Sequence, residues 1–90
     1  MTSRLTPERA YWQLEIRRLR AGLEQAKLDA RDAEVMAEHY AHMLKKTGDR
    51  RTWAGDAKRR KADVAVAKLE VRRAALAIKY ATEQEERARR

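Results

Sequence analysis

Two histidines and a neighbouring carboxylate are the side chains in this sequence whose spacing comes nearest to a metal site. His39 and His42 are three residues apart, so on a helix they share one side, and Glu38 lies next to them. Beyond Glu38, only Asp63 is available to complete a ligand set, and none of the zinc-protease patterns fits. We therefore interpret both histidines as surface residues. We expect a protein that is not an enzyme and that holds no metal or cofactor.

A second cluster, in the stretch KKTGDRRTWAGDAKRRK, is suited to binding anions. It holds eight Lys or Arg and two Asp, and it surrounds a predicted turn. The first two lysines suit the C-terminus of a helix, whereas the later cations lie at the positive end of the next helix dipole, where carboxylates are preferred. An external anion would relieve this repulsion. The predicted anion-binding tip consists of Lys45, Lys46, Arg50, Arg51, Trp53, Lys58, Arg59, Arg60 and Lys61.

Three interpretations of this tip stay open: a solvated loop, a docking site for an acidic protein surface, or a grip on nucleic acid. In the last, cations would hold phosphates and Trp53 could stack on a base. A net charge of +8 supports attraction to any polyanion. No helix-turn-helix, zinc-finger or RRM pattern is present, so sequence-specific reading of bases is not expected. If the tip binds DNA, charge reversal at Arg59 and Arg60 should abolish binding.

The elements that position this tip are two long predicted helices in one domain of 90 residues. Thr6 and Pro7 are a cap and a first helical residue, so helix 1 is predicted over about 7–46. A basic turn follows over 47–55. Helix 2 is predicted over about 56–88, capped by Asp56 or by Thr52.

Each predicted helix carries an apolar seam whose gaps alternate between four and three residues, which is typical of a coiled coil. The helix 1 seam is Trp12, Ile16, Leu19, Leu23, Ala26, Ala30, Ala33, Ala37, Tyr40 and Leu44. The helix 2 seam is Val64, Ala67, Val71, Ala74, Ile78 and Ala81. The two seams predict an all-α fold, an antiparallel two-helix hairpin that resembles a coiled coil.

Further apolar residues lie outside the seams and predict self-association. Leu14, Leu28 and Val35 are spaced by multiples of seven on the outer side of helix 1, and Leu69 and Leu76 lie similarly on helix 2. The bulky start of the helix 1 seam would meet only Ala81, Glu85 and Ala88, so we expect that end to pack against another chain. Two hairpins would then form a four-helix bundle. The predicted self-association residues are Trp12, Leu14, Ile16, Leu19, Leu23, Leu28, Val35, Leu69 and Leu76.

The tripeptide Trp53-Ala54-Gly55 falls near mid-chain, in the predicted turn between the helices. In this it resembles the Trp-x-Gly family of small helical-hairpin proteins exported by type VII secretion systems. The resemblance implies an antiparallel dimer without a cleaved signal. Many members also carry an acidic residue four positions after a Tyr that follows helix 2, whereas here Tyr80 is followed at that spacing by Gln84.

The sequence as a whole predicts a small interaction or adaptor protein of the kind common in phages and mobile elements. It would self-associate through its apolar stripes and dock an acidic partner through its basic tip. A non-specific nucleic-acid binder and a type VII secretion substrate are the alternatives. The absence of Cys, of a secretory signal and of a membrane span favours the cytoplasm, with secretion only if the family resemblance holds.

Overall fold

The computed structural model describes residues 5–90 and confirms the two-helix hairpin. Helix α1 spans Pro7–Thr47 and helix α2 spans Arg50–Arg89. The helices pack against each other along their lengths, in a body of 70 × 15 × 13 Å. The molecule is therefore a narrow ribbon, with an open end at the outer helix termini and a turn at the other end.

The ends of α1 follow from local chemistry. The Thr6 hydroxyl accepts a hydrogen bond from the Arg9 N–H at 3.1 Å, and Pro7 occupies the first turn. At the other end Gly48 adopts φ 66°, the left-handed conformation that glycine adopts most easily, and its N–H donates to the Leu44 carbonyl. The predicted start and end of this helix are thus confirmed within one residue.

Helix α2 begins at Arg50, so the prediction of a turn over 47–55 was wrong. The Asp49 side chain is the cap: it accepts bonds from the N–H of Thr52 at 3.2 Å and from the Thr52 hydroxyl at 2.6 Å. Neither Asp56 nor Thr52 serves as the cap. Gly55 lies inside the helix, because a well-capped helix tolerates a single glycine without breaking.

The seams pair as predicted. All sixteen predicted seam residues are buried or half-buried between the helices. Ala30 and Ala81 are 9% and 1% exposed, since their small side chains let the two backbones approach closely. The seam of α2 also extends beyond its predicted ends, to Trp53 and Ala57 near the turn and to Glu85 near the open end.

Alanine substitutions at two glycines test where the turn lies. Gly48→Ala should destabilise the protein by about 1 kcal/mol, because alanine is strained in the left-handed conformation. Gly55→Ala should stabilise it by about 0.5–1 kcal/mol, since this glycine is helical and no atom lies within 4 Å of the added methyl group. Urea unfolding followed by circular dichroism measures both. Loss of stability in Gly55→Ala would instead place a turn at the Trp-Ala-Gly tripeptide.

Candidate functional site

Three shallow grooves between the helices open on the same face of the ribbon. One lies near the open end and is flanked by Arg17 and Arg89. A second lies mid-way, flanked by Arg31 and Arg72. The third lies near the turn and is lined by Lys58, among others. Basic side chains therefore border this face from one end of the molecule to the other.

Further residues can be assigned to the face on which the grooves open. Residues seven positions apart lie on the same side of a coiled-coil helix, so the seven-residue repeat identifies them. Twelve Lys or Arg and only four Glu then belong to the face of the grooves, and all twelve cations are exposed. We call this surface the basic face. Its cations are Arg17, Arg20, Lys27, Arg31, Lys45, Arg51, Lys58, Lys61, Lys68, Arg72, Lys79 and Arg89, and its carboxylates are Glu24, Glu34, Glu38 and Glu86.

The opposite face carries the reverse balance, with seven carboxylates and five cations on the two helices. The carboxylates are Glu8, Glu15, Asp29, Asp32, Asp56, Asp63 and Glu70, and the cations are Arg18, Lys46, Arg59, Arg73 and Arg87. Part of this charge is neutralised locally, since Glu15 pairs with Arg18. Within residues 5–90, the net charge of the protein thus resides on one side of the ribbon.

The residues of the predicted tip do not form one cluster. They lie on successive sides of α1 and α2 because the predicted basic turn is mostly helix. Lys45, Arg51, Lys58 and Lys61 belong to the basic face, whereas Lys46 and Arg59 belong to the opposite face. Arg50 opens α2 at a seam-aligned position and is exposed. The tip is therefore the turn end of a much longer basic surface.

Trp53 and Arg60 are engaged within the hairpin. The Trp53 ring is tilted against the Tyr40 ring, with centroids 5.8 Å apart, and it is half-buried. The Arg60 guanidinium carbon lies 5.2 Å from the centroid of the same Tyr40 ring, within the range of a cation–π contact. These contacts join the helices near the turn, so neither residue projects freely for stacking on a base.

The apolar stripes outside the seam are exposed on the two outer edges of the ribbon. Leu14, Leu28 and Val35 on α1 are 65%, 53% and 59% exposed, and Leu69 and Leu76 on α2 are 48% and 64% exposed. Each stripe lies on the side of its helix that faces away from the other helix, because it falls midway between seam positions. The two edges therefore point in opposite directions.

At the open end, the bulky start of the α1 seam packs against α2 of the same chain. Trp12, Ile16, Leu19 and Leu23 are half-buried within the hairpin, and the Trp12 ring contacts the Tyr80 ring edge-on at 6.0 Å. These side chains keep part of their surface exposed, and the expectation that this end packs against another chain stays a prediction.

Glu85 is the residue at this end whose role the sequence did not indicate. Its carboxylate occupies a seam position with only 7% of the side chain exposed. One oxygen accepts hydrogen bonds at 3.3 Å from Arg9 and Gln13 of α1 and from Arg89 of α2. The signal that could have found it is the continuation of both heptad seams, which places Arg9 and Glu85 on facing sides.

This network keeps Glu85 ionised. Desolvation raises the pKa of its carboxyl, but the bonds from Gln13, Arg89 and Arg9 outweigh desolvation and leave the pKa below its ordinary value of 4.5. A carboxyl with a lowered pKa stabilises the fold fully above its unfolded pKa, and the stabilisation is lost as pH falls through the folded pKa. Glu85 thus acts as a charged clamp between the helices.

The histidine pair does not assemble a metal site in the structure. His39 and His42 are both exposed, and the His39 ring packs edge-on against Tyr40. Across residues 5–90, no three His, Cys, Asp or Glu side chains are grouped as metal ligands would be. Over the same residues, neither helix is apolar enough over a sufficient length to cross a bilayer.

Comparison of the chain with family models, with curated proteins and with solved structures finds no match. The Trp-x-Gly resemblance stays a prediction. Its tripeptide lies within α2, in a different structural context from the turn where the sequence placed it.

Substitution of Glu85 tests the clamp. Glu85→Gln should lower the thermal midpoint by several degrees near neutral pH, because Arg9 and Arg89 lose their carboxylate partner while the shape is retained. The difference from the natural protein should begin to shrink as pH falls to the ordinary pKa of 4.5 and should vanish below the lowered pKa of the folded protein, where the Glu85 carboxylate is protonated. Thermal melts followed by circular dichroism across this pH range measure the difference.

The matched control is Glu86→Gln, one residue away and exposed, which should melt like the natural protein. Equal melting of both variants at neutral pH would contradict the clamp.

Proposed function

We propose that this protein is a non-enzymatic interaction module that docks an acidic partner on its basic face and self-associates through its apolar edges. The observation that carries the proposal is the segregation of charge between the two faces of the hairpin. Twelve exposed cations against four carboxylates lie on one face, and the other face is slightly acidic. A uniformly charged surface would serve solubility equally well, whereas a segregated one orients the molecule on a charged partner.

The basic face is also poorly neutralised by the protein itself. Lys68 pairs with Glu34 across the helices at 3.4 Å, and Lys27 pairs with Glu24 at 3.5 Å. The four carboxylates of the face can neutralise at most four of its twelve cations, and Arg89 pairs with Glu85 of the seam, which leaves at least seven cations without a carboxylate partner. Such a surface attracts anions over distances of about 8 Å at physiological salt.

Self-association is supported by the exposed edges and by the small core. Within residues 5–90, only Ala30, Ala81 and Glu85 are buried, and large apolar side chains such as Leu14 and Leu76 are still exposed. The α1 edge carries three large apolar residues, against two on α2, and a two-fold axis would place two α1 edges together. Four helices would then lie side by side. The closed four-helix bundle expected from the sequence would instead have to bury a charged face.

Docking is tested by retention on immobilised heparin, a polyanion that is not a nucleic acid. Lys58→Glu/Arg72→Glu replaces two cations of the basic face by carboxylates. Arg59→Glu/Arg73→Glu makes the same charge change at the adjacent residues, which lie on the opposite face. The first variant should elute at roughly half the salt concentration of the natural protein, because affinity depends on the number of anions neutralised.

The second variant should elute close to the natural protein. Equal loss of retention in both variants would mean that net charge alone governs binding and would overturn the basic face as the docking surface. Circular dichroism of both variants confirms that the helices are retained.

Self-association is tested by sedimentation equilibrium over a range of protein concentrations. Leu14→Gln/Leu28→Gln should weaken the dimer by at least about tenfold, since each substitution removes a leucine that the dimer would bury. Leu69→Gln/Leu76→Gln is the matched control on the other edge and should leave the dimer intact. Both variants keep the net charge. A natural protein that is monomeric at all concentrations would exclude this half of the proposal.

A further inference from the structure

We infer that the partner of the basic face is double-stranded nucleic acid, held through its phosphates without regard to sequence. This inference rests on the proposed docking function and names its ligand. It differs from binding at the turn alone, because the whole length of the ribbon takes part.

The length and continuity of the basic face match a phosphate backbone. On α2 its cations extend from Arg51 to Arg89, which at about 1.5 Å per residue is roughly 57 Å. Cations of α1 line the other side of the same face from Arg17 to Arg31 and again at Lys45, with three glutamates among them, so the row on α2 is the more continuous one. A duplex offers one phosphate per strand every 3.4 Å or so, and therefore supplies anions along the whole face over about 17 base pairs. Folded protein surfaces usually intersperse both signs of charge over such a distance.

The absence of aromatic rings from this face favours a duplex over a single strand. Single-strand binders combine cations with aromatic side chains on which bases stack. The chain has five Trp and Tyr residues. Tyr11 and Tyr80 both contact the Trp12 ring, on the opposite face and in the seam, and Tyr40 and Trp53 contact each other between the helices. None of these five rings is thus placed to stack on bases brought to the basic face.

The width of the ribbon favours contact with phosphates over contact with base edges. The major groove of a duplex is about 12 Å wide and admits one helix or a two-stranded ribbon. Two helices side by side measure 15 × 13 Å in cross-section between Cα extremes, before side chains are added. The hairpin therefore lies across the groove edges, where Lys and Arg reach the backbone. Binding of this kind carries no direct sequence information.

Fluorescence anisotropy with labelled duplexes of about 24 base pairs, in two unrelated sequences, tests the inference. Both should bind equally, and the logarithm of the binding constant should fall with the logarithm of salt with a slope near −5, as expected for about six phosphate contacts. The matching single strand should bind at least about fivefold more weakly, because it offers phosphates without the fixed spacing of a rod. Shortening the duplex below about 17 base pairs should weaken binding, since part of the face would lose its phosphates.

The decisive variant is Arg17→Glu/Lys79→Glu, which alters the basic face near the open end, roughly 45 Å from the turn. It should lose about 30-fold or more in affinity for the duplex at about 0.1 M salt, because each phosphate contact contributes close to tenfold there. Arg73→Glu/Arg87→Glu makes the same charge change on the opposite face and should lose less than about threefold. Circular dichroism confirms that both variants are folded.

Each alternative result counts against a defined part of the account. Unchanged duplex binding by Arg17→Glu/Lys79→Glu would restrict binding to the turn and overturn the inference. Tighter binding of the single strand would also overturn it. Retention on heparin without duplex binding at low salt would reject nucleic acid as the partner and leave the docking function standing. Loss of both would reject the docking function as well.

Discussion

The unbroken alternation of four- and three-residue gaps along both seams is the constraint on which the rest of this structure depends. It allows each helix to contact the other along one side only, and small residues such as Ala30 and Ala81 let the backbones approach closely at that side. Once the seams are paired, every other position has a fixed place on an edge or on one of two faces. The sorting of charge is therefore a direct consequence of the seven-residue repeat, and a rotation of either helix away from its seam would mix the two faces.

Polar contacts at both ends of the ribbon reinforce this register. Near the open end, the Glu85 carboxylate accepts hydrogen bonds from Arg9 and Gln13 of the facing helix. Near the turn, Arg60 lies over Tyr40. Alanine seams alone specify register weakly, because one alanine packs much like the next. A buried carboxylate with its donors on the other helix has one low-energy position, so these contacts supply the specificity that the seam lacks.

The fold was predictable from the sequence because its signals are local and periodic. Thr6 and Pro7 set the start of α1, Gly48 sets its end, and the seams follow from spacing alone. The predicted turn ends too late, at Gly55, because Asp49 caps a helix that continues through this glycine. The candidate site was only partly predictable. Its turn-end cations were identified, but their division between faces depends on where α2 begins. The basic face also continues along both helices far beyond any contiguous basic stretch of the sequence.

The most direct test of the paired hairpin is a nuclear Overhauser measurement on a mixture of isotope-labelled and unlabelled chains. The account predicts contacts between the rings of Trp12 and Tyr80, and between those of Tyr40 and Trp53, within single chains, since their centroids lie 6.0 and 5.8 Å apart. The same contacts appearing only between labelled and unlabelled chains would show that each molecule is an unbroken rod paired with a second copy. That result would contradict the hairpin, and absence of the Trp12–Tyr80 contact would contradict the register.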